Sequence, residues 1–206
     1  MLRTALATTL SFALIASAGA ALAGAPAAPP VKDPKAAPAG AYKLDENHIG
    51  VVARVPHSNG TSYSIFRFDK AHGTLNYDAA APANIKLDVT VEPGSINSNV
   101  AGFATTISGD RFLKSATFAT AQFVSTGVQA SGTHATINGN LTFMGQTKPA
   151  TINADLVAVG RSQGGKSVIG FTGSLKFKRS DFGFTAMVGP IGDDIEVLLD
   201  GEFGQL

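Results

Sequence analysis

The sequence of 206 residues contains no cysteine and no tryptophan, and only 15% of its residues are charged. The absence of cysteine excludes disulfide bonds, a thiol nucleophile and lipid attachment to a cysteine, so core packing alone must stabilise the fold. The formal net charge of +1 gives no basic surface that would attract nucleic acid. The aromatic residues are mainly phenylalanine, 13 in number, whose rings carry no polar group. The composition therefore supports neither a disulfide scaffold nor a nucleic-acid-binding protein.

Residues 1–23 have the pattern of a cleavable export signal. Arg3 gives a positive start, an apolar stretch follows, and Ala21-Leu22-Ala23 forms a small-residue cleavage site. A membrane anchor is the competing interpretation, but the stretch is short and rich in Ala, Ser and Thr, whereas a span needs about 20 strongly apolar residues. We therefore expect cleavage near Ala23, a periplasmic or secreted location and no transmembrane span in the mature chain.

Residues 24–41 are dominated by proline and alanine and lack the apolar side chains of a packed core. We predict an extended linker over this range. The remaining residues, 42–206, have a length suited to a single folded domain.

Alternation of apolar and polar residues predicts β-strands along this domain. Ile85, Leu87 and Val89 share one parity, while Lys86 and Asp88 share the other. With weaker segments included, the same period predicts eight or nine strands. The other apolar sets are Ile49, Val51, Ala53 and Val55; Ile137, Gly139, Leu141 and Phe143; Ile152, Ala154 and Leu156; Ile169, Phe171, Leu175 and Phe177; Ile195, Val197, Leu199 and Phe203; and the weaker pairs Phe66 and Phe68, Leu75 and Tyr77, and Ala121 and Phe123.

Only residues 101–118 interrupt the alternation, and Asp110 is placed there to cap a short helix over residues 111–115. Because helices are too few to cover a flat sheet, we predict an all-β fold, either an antiparallel up-and-down β-barrel of about eight strands with one short helical insertion or a two-sheet sandwich. A barrel of this size has an interior that is filled by side chains or holds one small ligand. Small inward residues such as Ala53 and Gly139 are compatible with a filled interior and with one that holds a ligand.

The stretch GRSQGGKS at residues 160–167 matches the letters of a nucleotide-binding phosphate loop. Such a loop needs a helix directly after it, because the helix N-terminus supplies the phosphate ligands. Here the following residues alternate, with Ile169 and Phe171 on one face and Thr172 and Ser174 on the other. We therefore predict a glycine-rich hairpin between two antiparallel strands, and no nucleotide partner.

Five segments, in the order found here, resemble the YceI family of secreted barrel proteins. They are YKLDENHIGV at 42–51; VEPGSINS and GDRFLKSATF at 91–98 and 109–118; AQFVSTGV at 121–128; GNLTFMGQTKPATI at 139–152; and KRSDFGF and IGDDIEV at 178–184 and 191–197. The resemblance implies a lipocalin-like barrel that binds polyisoprenoid or related amphiphilic lipids. Members tend to carry an aromatic residue where this chain has Ala53, and Pro56 is expected to end the first strand early. The pocket is therefore expected to differ in shape at that point.

The histidines give no support to a metal site. None of the four, His48, His57, His72 and His134, forms an H-x-H or H-x-x-x-H pair, and each lies near a turn signal or a strand end. We predict neither a metal nor a cofactor. His48 and His57 match positions that the family usually keeps, so the resemblance makes them candidates for contacting a ligand headgroup.

Arg179 and Ser180 are the other headgroup candidates, because a guanidinium donates paired hydrogen bonds to phosphate and similar groups. The alternative, which the local sequence favours, is that Arg179 and Asp181 pair with neighbours and fix a bend.

No G-x-S-x-G motif, cysteine or pair of carboxylates suggests a catalytic centre, so no catalytic residue is assigned and the protein is not expected to be an enzyme. The first hypothesis is a carrier or sequestering protein that holds an isoprenoid-like or other amphiphilic lipid inside the barrel, with a stress-related role as one form of it. The second is a filled barrel that acts through its outer surface as an interaction or stress protein, with a protein partner that the sequence does not identify. For the first hypothesis the predicted ligand-binding residues are Ala53, Phe68, Leu87, Val89, Phe123, Leu141, Phe143, Phe171 and Phe177.

Overall fold

The computed structural model describes residues 28–206 and contains ten β-strands. The predicted export signal lies outside the described residues. The strands are β1 (Gly40–His57), β2 (Ser62–Phe68), β3 (Ala71–Tyr77), β4 (Lys86–Val91), β5 (Ile96–Asn97), β6 (Ala121–Ser131), β7 (His134–Phe143), β8 (Gln146–Arg161), β9 (Ser167–Lys178) and β10 (Asp194–Gln205). The helical elements are α1 (Phe103–Ser108) and the 3-10 turns Pro34–Ala36, Pro82–Asn84, Pro93–Ser95 and Arg179–Phe182. Within residues 28–206, no helix has the length and apolar character needed to cross a membrane.

Eight of the strands form a closed antiparallel ring. Their order is β1, β3, β4, β6, β7, β8, β9 and β10, and β10 pairs again with β1. β3 pairs with the beginning of β1 and β2 pairs with its second half, so β2 and β3 together occupy one position in the wall. The predicted barrel of about eight strands is confirmed, and the described chain does not adopt the alternative sandwich.

Alternation along the strands places the apolar side chains inside the ring, as expected. Leu87 of β4 is buried and Lys86 beside it is exposed. Tyr42 of β1 and Ile169 of β9 are completely buried at the end of the barrel where β1 begins and β10 ends. Their burial shows close packing of these two side chains where β1, β9 and β10 lie side by side at this end of the barrel.

Glycine at position 139 of β7 accommodates an aromatic ring. A Cβ atom placed on Gly139 would lie 2.4 Å from the ring of Phe123 on the neighbouring β6. The glycine therefore makes room for the ring of Phe123. This ring fills the space that the missing side chain leaves at position 139.

The helical insertion exists, but the predicted position of the helix within it is wrong. Helix α1 spans Phe103–Ser108 and ends at Gly109, whereas Asp110 is exposed and the residues after it form turns. The reason is the burial of Leu113, whose backbone N–H donates to the carbonyl of Ile107 and whose side chain packs beside Ile107. Folding back in this way buries an apolar side chain that a continuous helix would carry into solvent.

Pro56 does not end β1, contrary to expectation. The residue pairs with Tyr63 of β2, and its carbonyl accepts a 2.7 Å hydrogen bond from the N–H of Gly192. In a strand, the nitrogen and the carbonyl of one residue point to the same neighbouring strand. The N–H that proline lacks would therefore point towards Gly192, which precedes β10, so no hydrogen bond between strands is lost. Proline is therefore tolerated near the end of this strand.

The GRSQGGKS stretch forms the predicted hairpin loop. Strand β8 ends at Arg161 and β9 begins at Ser167. The turn is closed by hydrogen bonds from the N–H of Ser162 to the carbonyl of Lys166 and from the Arg161 guanidinium to the carbonyl of Gly165, both 2.9 Å. A strand follows where a phosphate loop requires a helix.

Part of the predicted linker lies against the barrel. Val31 forms an antiparallel bridge with Val159 of β8, the side chain of Ala37 is buried, and β1 begins at Gly40. The domain boundaries at 24, 42 and 206 stay a prediction, because none of these contacts tests them.

Candidate ligand-binding site

The interior of the barrel contains a cavity of about 1110 Å³. Pockets that hold small molecules usually measure about 300–1,000 Å³, so this cavity is large enough for a ligand of considerable size. All nine predicted interior residues line it: Ala53, Phe68, Leu87, Val89, Phe123, Leu141, Phe143, Phe171 and Phe177. Carbon atoms dominate the surface that these side chains present, so the cavity suits an apolar molecule.

Aromatic rings meet where β7 and β9 reach the turn Arg179–Phe182. The ring centroids of Phe143 and Phe177 are 5.8 Å apart, and those of Phe177 and Phe182 are 5.3 Å apart, both with edge-to-face geometry. Phe182 is buried, whereas Phe143 and Phe177 keep part of their surface accessible and line the cavity. The rings thus hold one another in place while presenting apolar surface to the interior.

Ala53 lies on the inner face of β1, between Phe66 of β2 and Val197 of β10. It belongs to a small group of buried residues with Phe66, Ile96, Leu113 and Ile195. Ala53 also lines the cavity.

The buried guanidinium of Arg179 is bound mainly by backbone carbonyls. Only 2% of the residue is exposed, and burial lowers the pKa of the guanidinium. Its N–H groups donate to the carbonyls of Phe184, Ala186, Ile191 and Gly192 over distances of 2.7–3.1 Å. Four of its five N–H groups are thereby used. The guanidinium also lies 4.8 Å from the ring centre of Phe184.

These contacts give Arg179 a clear structural role, because they fold residues 184–192 into the rim of the cavity. The sequence favoured pairing of Arg179 and Asp181 with neighbouring residues. Arg179 does bind its neighbours, through their carbonyl oxygens, whereas Asp181 is exposed. Arg179 also lines the cavity, so its remaining N–H group lies at the same end as the aromatic rings.

Ser180 binds Asp193 and does not line the cavity. Its backbone N–H and its hydroxyl donate to the two carboxylate oxygens of Asp193 over 2.9 and 2.7 Å. The hydroxyl hydrogen bond is the main reason why the pKa of Asp193 lies below its usual value. This pair joins the turn after β9 to the residue before β10.

The structure separates the two histidine candidates. His57 lines the cavity at the end of β1, where its backbone bridges to Ile191 and its Nδ1 atom lies 2.8 Å from the hydroxyl of Ser58. Since the Arg179 guanidinium donates to the carbonyl of Ile191, His57 and Arg179 belong to the same rim. His48 is exposed and its Nδ1 atom lies 2.9 Å from Asp45, which raises the pKa of the imidazole through their hydrogen bond.

The remaining histidines are also apart from one another. His72 is exposed on β3, and His134 lies at the start of β7, with its Nδ1 atom 3.2 Å from Asp155. Over residues 28–206, no three or more His, Asp or Glu side chains are grouped so that they could hold a metal ion.

Several cavity residues were not predicted from the sequence. They include Tyr77, Val100, Phe112, Phe184, Met187 and the segment Asp33–Lys35. Tyr77 shares the inner face of β3 with Leu75, and this alternation could have identified it as a cavity residue. The others lie in loops, whose side-chain directions follow no period.

The fold and the site together define a class: a closed antiparallel barrel of one domain, built around a large apolar cavity. The chain belongs to the YceI-like family, whose family model matches residues 42–203. A UPF0312 protein of Shewanella baltica strain OS185 is 40% identical over 167 residues, which cover 80% of this chain and 87% of that protein. A UPF0312 protein of Pseudomonas aeruginosa is 36% identical over 163 residues, which cover 78% and 85%.

Solved structures share the fold. BcnA of Burkholderia cenocepacia superposes with a TM-score of 0.67 at 20% identity, over 77% of this chain and 98% of that one. The YCEI protein of Campylobacter jejuni gives a TM-score of 0.60 at 26% identity, over 68% and 84%. A domain of Saccharophagus degradans, described as polyisoprenoid-binding, gives 0.58 at 14% identity, over 80% and 98%.

Proposed function

We propose that this protein is a non-enzymatic carrier or sequestering protein that holds an isoprenoid-like or other amphiphilic lipid inside its barrel. The single observation that carries the proposal is the cavity of about 1110 Å³ with its lining of phenylalanine and aliphatic side chains. Its proposed site of action is the periplasm or the exterior of the cell, after cleavage near Ala23, and its proposed task includes a role in stress.

Burial of the lipid chain supplies the binding free energy. Each methylene group that leaves water for an apolar cavity contributes about 0.8 kcal/mol, so a chain of ten such groups gains about 8 kcal/mol before the entropy of ordering is subtracted. Polar contacts then fix orientation. We place the headgroup at the rim formed by His57 and Arg179, because both line the cavity and one guanidinium N–H group is left for it.

Family membership supports the proposal. The description of the Saccharophagus degradans domain names a polyisoprenoid as what that domain binds, and at 14% identity it contributes the shared barrel alone. The cavity in this chain is therefore the main support for an apolar ligand, and membership of the YceI-like family agrees with it.

The alternative of a filled barrel predicts that no continuous cavity lies between Leu87, Phe123, Leu141, Phe143 and Phe171. All five side chains line one cavity. This observation favours the carrier over a protein that acts only through its outer surface.

The test is extraction of the protein purified without refolding from its native host. We expect an organic extract to contain an apolar molecule in near-stoichiometric amount, and the delipidated protein to bind an isoprenoid quinone that is titrated into it. A fusion partner purified in parallel serves as the control for lipid carried over from membranes. An empty extract together with no uptake of quinone would refute the carrier function.

A further inference from the structure

Residues 31–38, which we call the crossing segment, pass over one end of the barrel. The segment begins at Val31, whose N–H and carbonyl exchange hydrogen bonds of 2.9 and 2.8 Å with Val159 of β8. It leads into Gly40, which pairs with Tyr77 of β3. In the ring of eight strands, β8 and β3 are separated by four steps in either direction, so they lie opposite each other. The chain between them must therefore cross the barrel end or pass around it.

The lining of the cavity distinguishes these two paths. Asp33, Pro34 and Lys35 of the crossing segment line the cavity, and so does Tyr77. Residues that pass around the outside of the wall could not face the interior. The 3-10 turn Pro34–Ala36 therefore lies over the end of the cavity, and Ala37, the next residue, is buried in the core of the barrel.

Two buried tyrosines hold the segment in this position. The hydroxyl of Tyr77 donates to the carbonyl of Pro34 over 3.0 Å, and that of Tyr42 donates to the carbonyl of Pro38 over 2.6 Å. Their rings contact each other edge to face, with centroids 6.1 Å apart. The rings belong to the barrel and the acceptors to the segment, so each hydroxyl ties one to the other. Burial also raises the pKa of the Tyr77 hydroxyl above its ordinary value.

The segment does not occupy the whole width of the barrel end. The cavity lining continues beside it to Gly132 and His134, where β6 turns into β7, and both residues are exposed. Displacement of the segment would widen this passage. Because prolines restrict the backbone of the segment, the entropy cost of holding it in place is small.

We propose that the crossing segment is the floor of the binding site and limits the length of lipid chain that the barrel holds. Tyr42 and Tyr77 are positioning residues that fasten this floor. The proposal rests on the proposed lipid-binding function and assigns to the proline-rich segment a part in ligand selection.

The fastening is tested by amide hydrogen exchange of the full chain with Tyr77→Phe and Tyr42→Phe. Loss of one buried hydroxyl bond is expected to accelerate exchange at Val31 and Val159 about fivefold, while amides of β9 keep their rates. Tyr63→Phe is the matched control, because Tyr63 is an exposed tyrosine of β2. Unchanged exchange at Val31 and Val159 in both variants overturns the fastening.

The length limit is tested with a reversible lock. Val31 and Val159 are a directly paired couple, and their Cα separation of about 5.5 Å in such pairs suits a disulfide. The chain has no cysteine, so Val31→Cys with Val159→Cys can form one disulfide only. The two cysteines are introduced together with Tyr77→Phe. In this variant the disulfide fastens the floor after oxidation, and the floor is loosened after reduction, so both states are measured in the same protein.

The probes are farnesol, geranylgeraniol and solanesol, isoprenoid alcohols of increasing length, and their relative affinities are read by native mass spectrometry. With the floor loosened, the preference for solanesol over farnesol is expected to rise about tenfold, since burial of two further methylene groups suffices for that. Oxidation should restore the preference of the wild type. The same length preference in the oxidised and reduced protein overturns the floor. Wild type that binds none of the alcohols refutes the lipid-binding function itself and the length limit with it.

Discussion

Replacement of Ala53 by phenylalanine tests whether the cavity is the lipid site. The side chain of Ala53 points into the barrel from β1 and lines the cavity, so a ring at this position extends into the space in front of it. Val52, the preceding residue, projects from the other face of the same strand. Val52→Phe is therefore the matched control, with a ring added to the same strand outside the barrel.

The size of the effect follows from the number of atoms that the substitution adds to the cavity. Phenylalanine has six ring carbons that alanine lacks, and they enter the cavity that Ala53 lines. A ligand that loses the place of six buried carbons loses at most about 5 kcal/mol, at about 0.8 kcal/mol each. Because a ligand can shift within a cavity of this size, we expect a loss of affinity between tenfold and about a thousandfold. The ring itself is buried, which stabilises the ligand-free protein by up to about 1.5–3 kcal/mol.

The assay combines calorimetric titration of geranylgeraniol with urea unfolding of the delipidated protein. We expect Ala53→Phe to bind more weakly and to unfold at the same or a higher urea concentration than the wild type. Val52→Phe should bind normally. Undiminished affinity in Ala53→Phe, together with the 1–3 kcal/mol loss of stability that overpacking causes, would show that the added ring meets a filled core and that the lipid binds elsewhere.

Four further predictions concern single side chains. Phe171→Ala is expected to cost about 1–3 kcal/mol in urea unfolding, below the 3–5 kcal/mol of a fully packed phenylalanine, because part of the Phe171 ring faces the cavity. Arg179→Met should cost about 3–5 kcal/mol, because four backbone carbonyls lose their donor; unfolding at unchanged urea would contradict this. Because the pKa of Asp193 is lowered in the folded protein, its carboxylate contributes stability above the usual pKa of 3.8, and this contribution is lost as the pH falls through the folded pKa. Asp193→Asn removes the carboxylate that Ser180 binds. On acidification below pH 3.8 this variant should therefore lose less stability than the wild type. Lys166→Ala should change stability by less than about 0.5 kcal/mol, and ATP with Mg²⁺ should show no saturable binding to the wild type.

The strands and their inward faces could be predicted because period two is a local property. A residue such as Leu87 or Phe171 takes its side of the strand from the alternation with its sequence neighbours, whichever strand pairs beside it. Closure followed from the lack of helices to cover a sheet. For this reason the nine interior residues could be named without knowledge of the strand order.

Features that depend on contacts between distant residues could not be predicted in this way. The helix was expected after Asp110 because a capping residue is a local signal, whereas the burial of Leu113 against Ile107 decides the path of the chain. The composition of the crossing segment predicts an extended linker and carries no signal for its contacts with the barrel. Two tyrosines in strands far along the sequence hold the segment on the barrel.

Whether the interior is filled or hollow also depends on contacts between residues that are distant in the sequence, and the answer affects the energetics of binding. The small residues of the inner face act differently: Gly139 is covered by the ring of Phe123, whereas Ala53 lines the cavity. The cavity lining reaches exposed residues such as Gly132 and His134, so water has access to the interior. Water that fills it finds few hydrogen-bond partners on phenylalanine and aliphatic walls, so an apolar molecule that replaces this water stabilises the fold as it binds. The same lining that binds water poorly would thus give the proposed lipid its affinity.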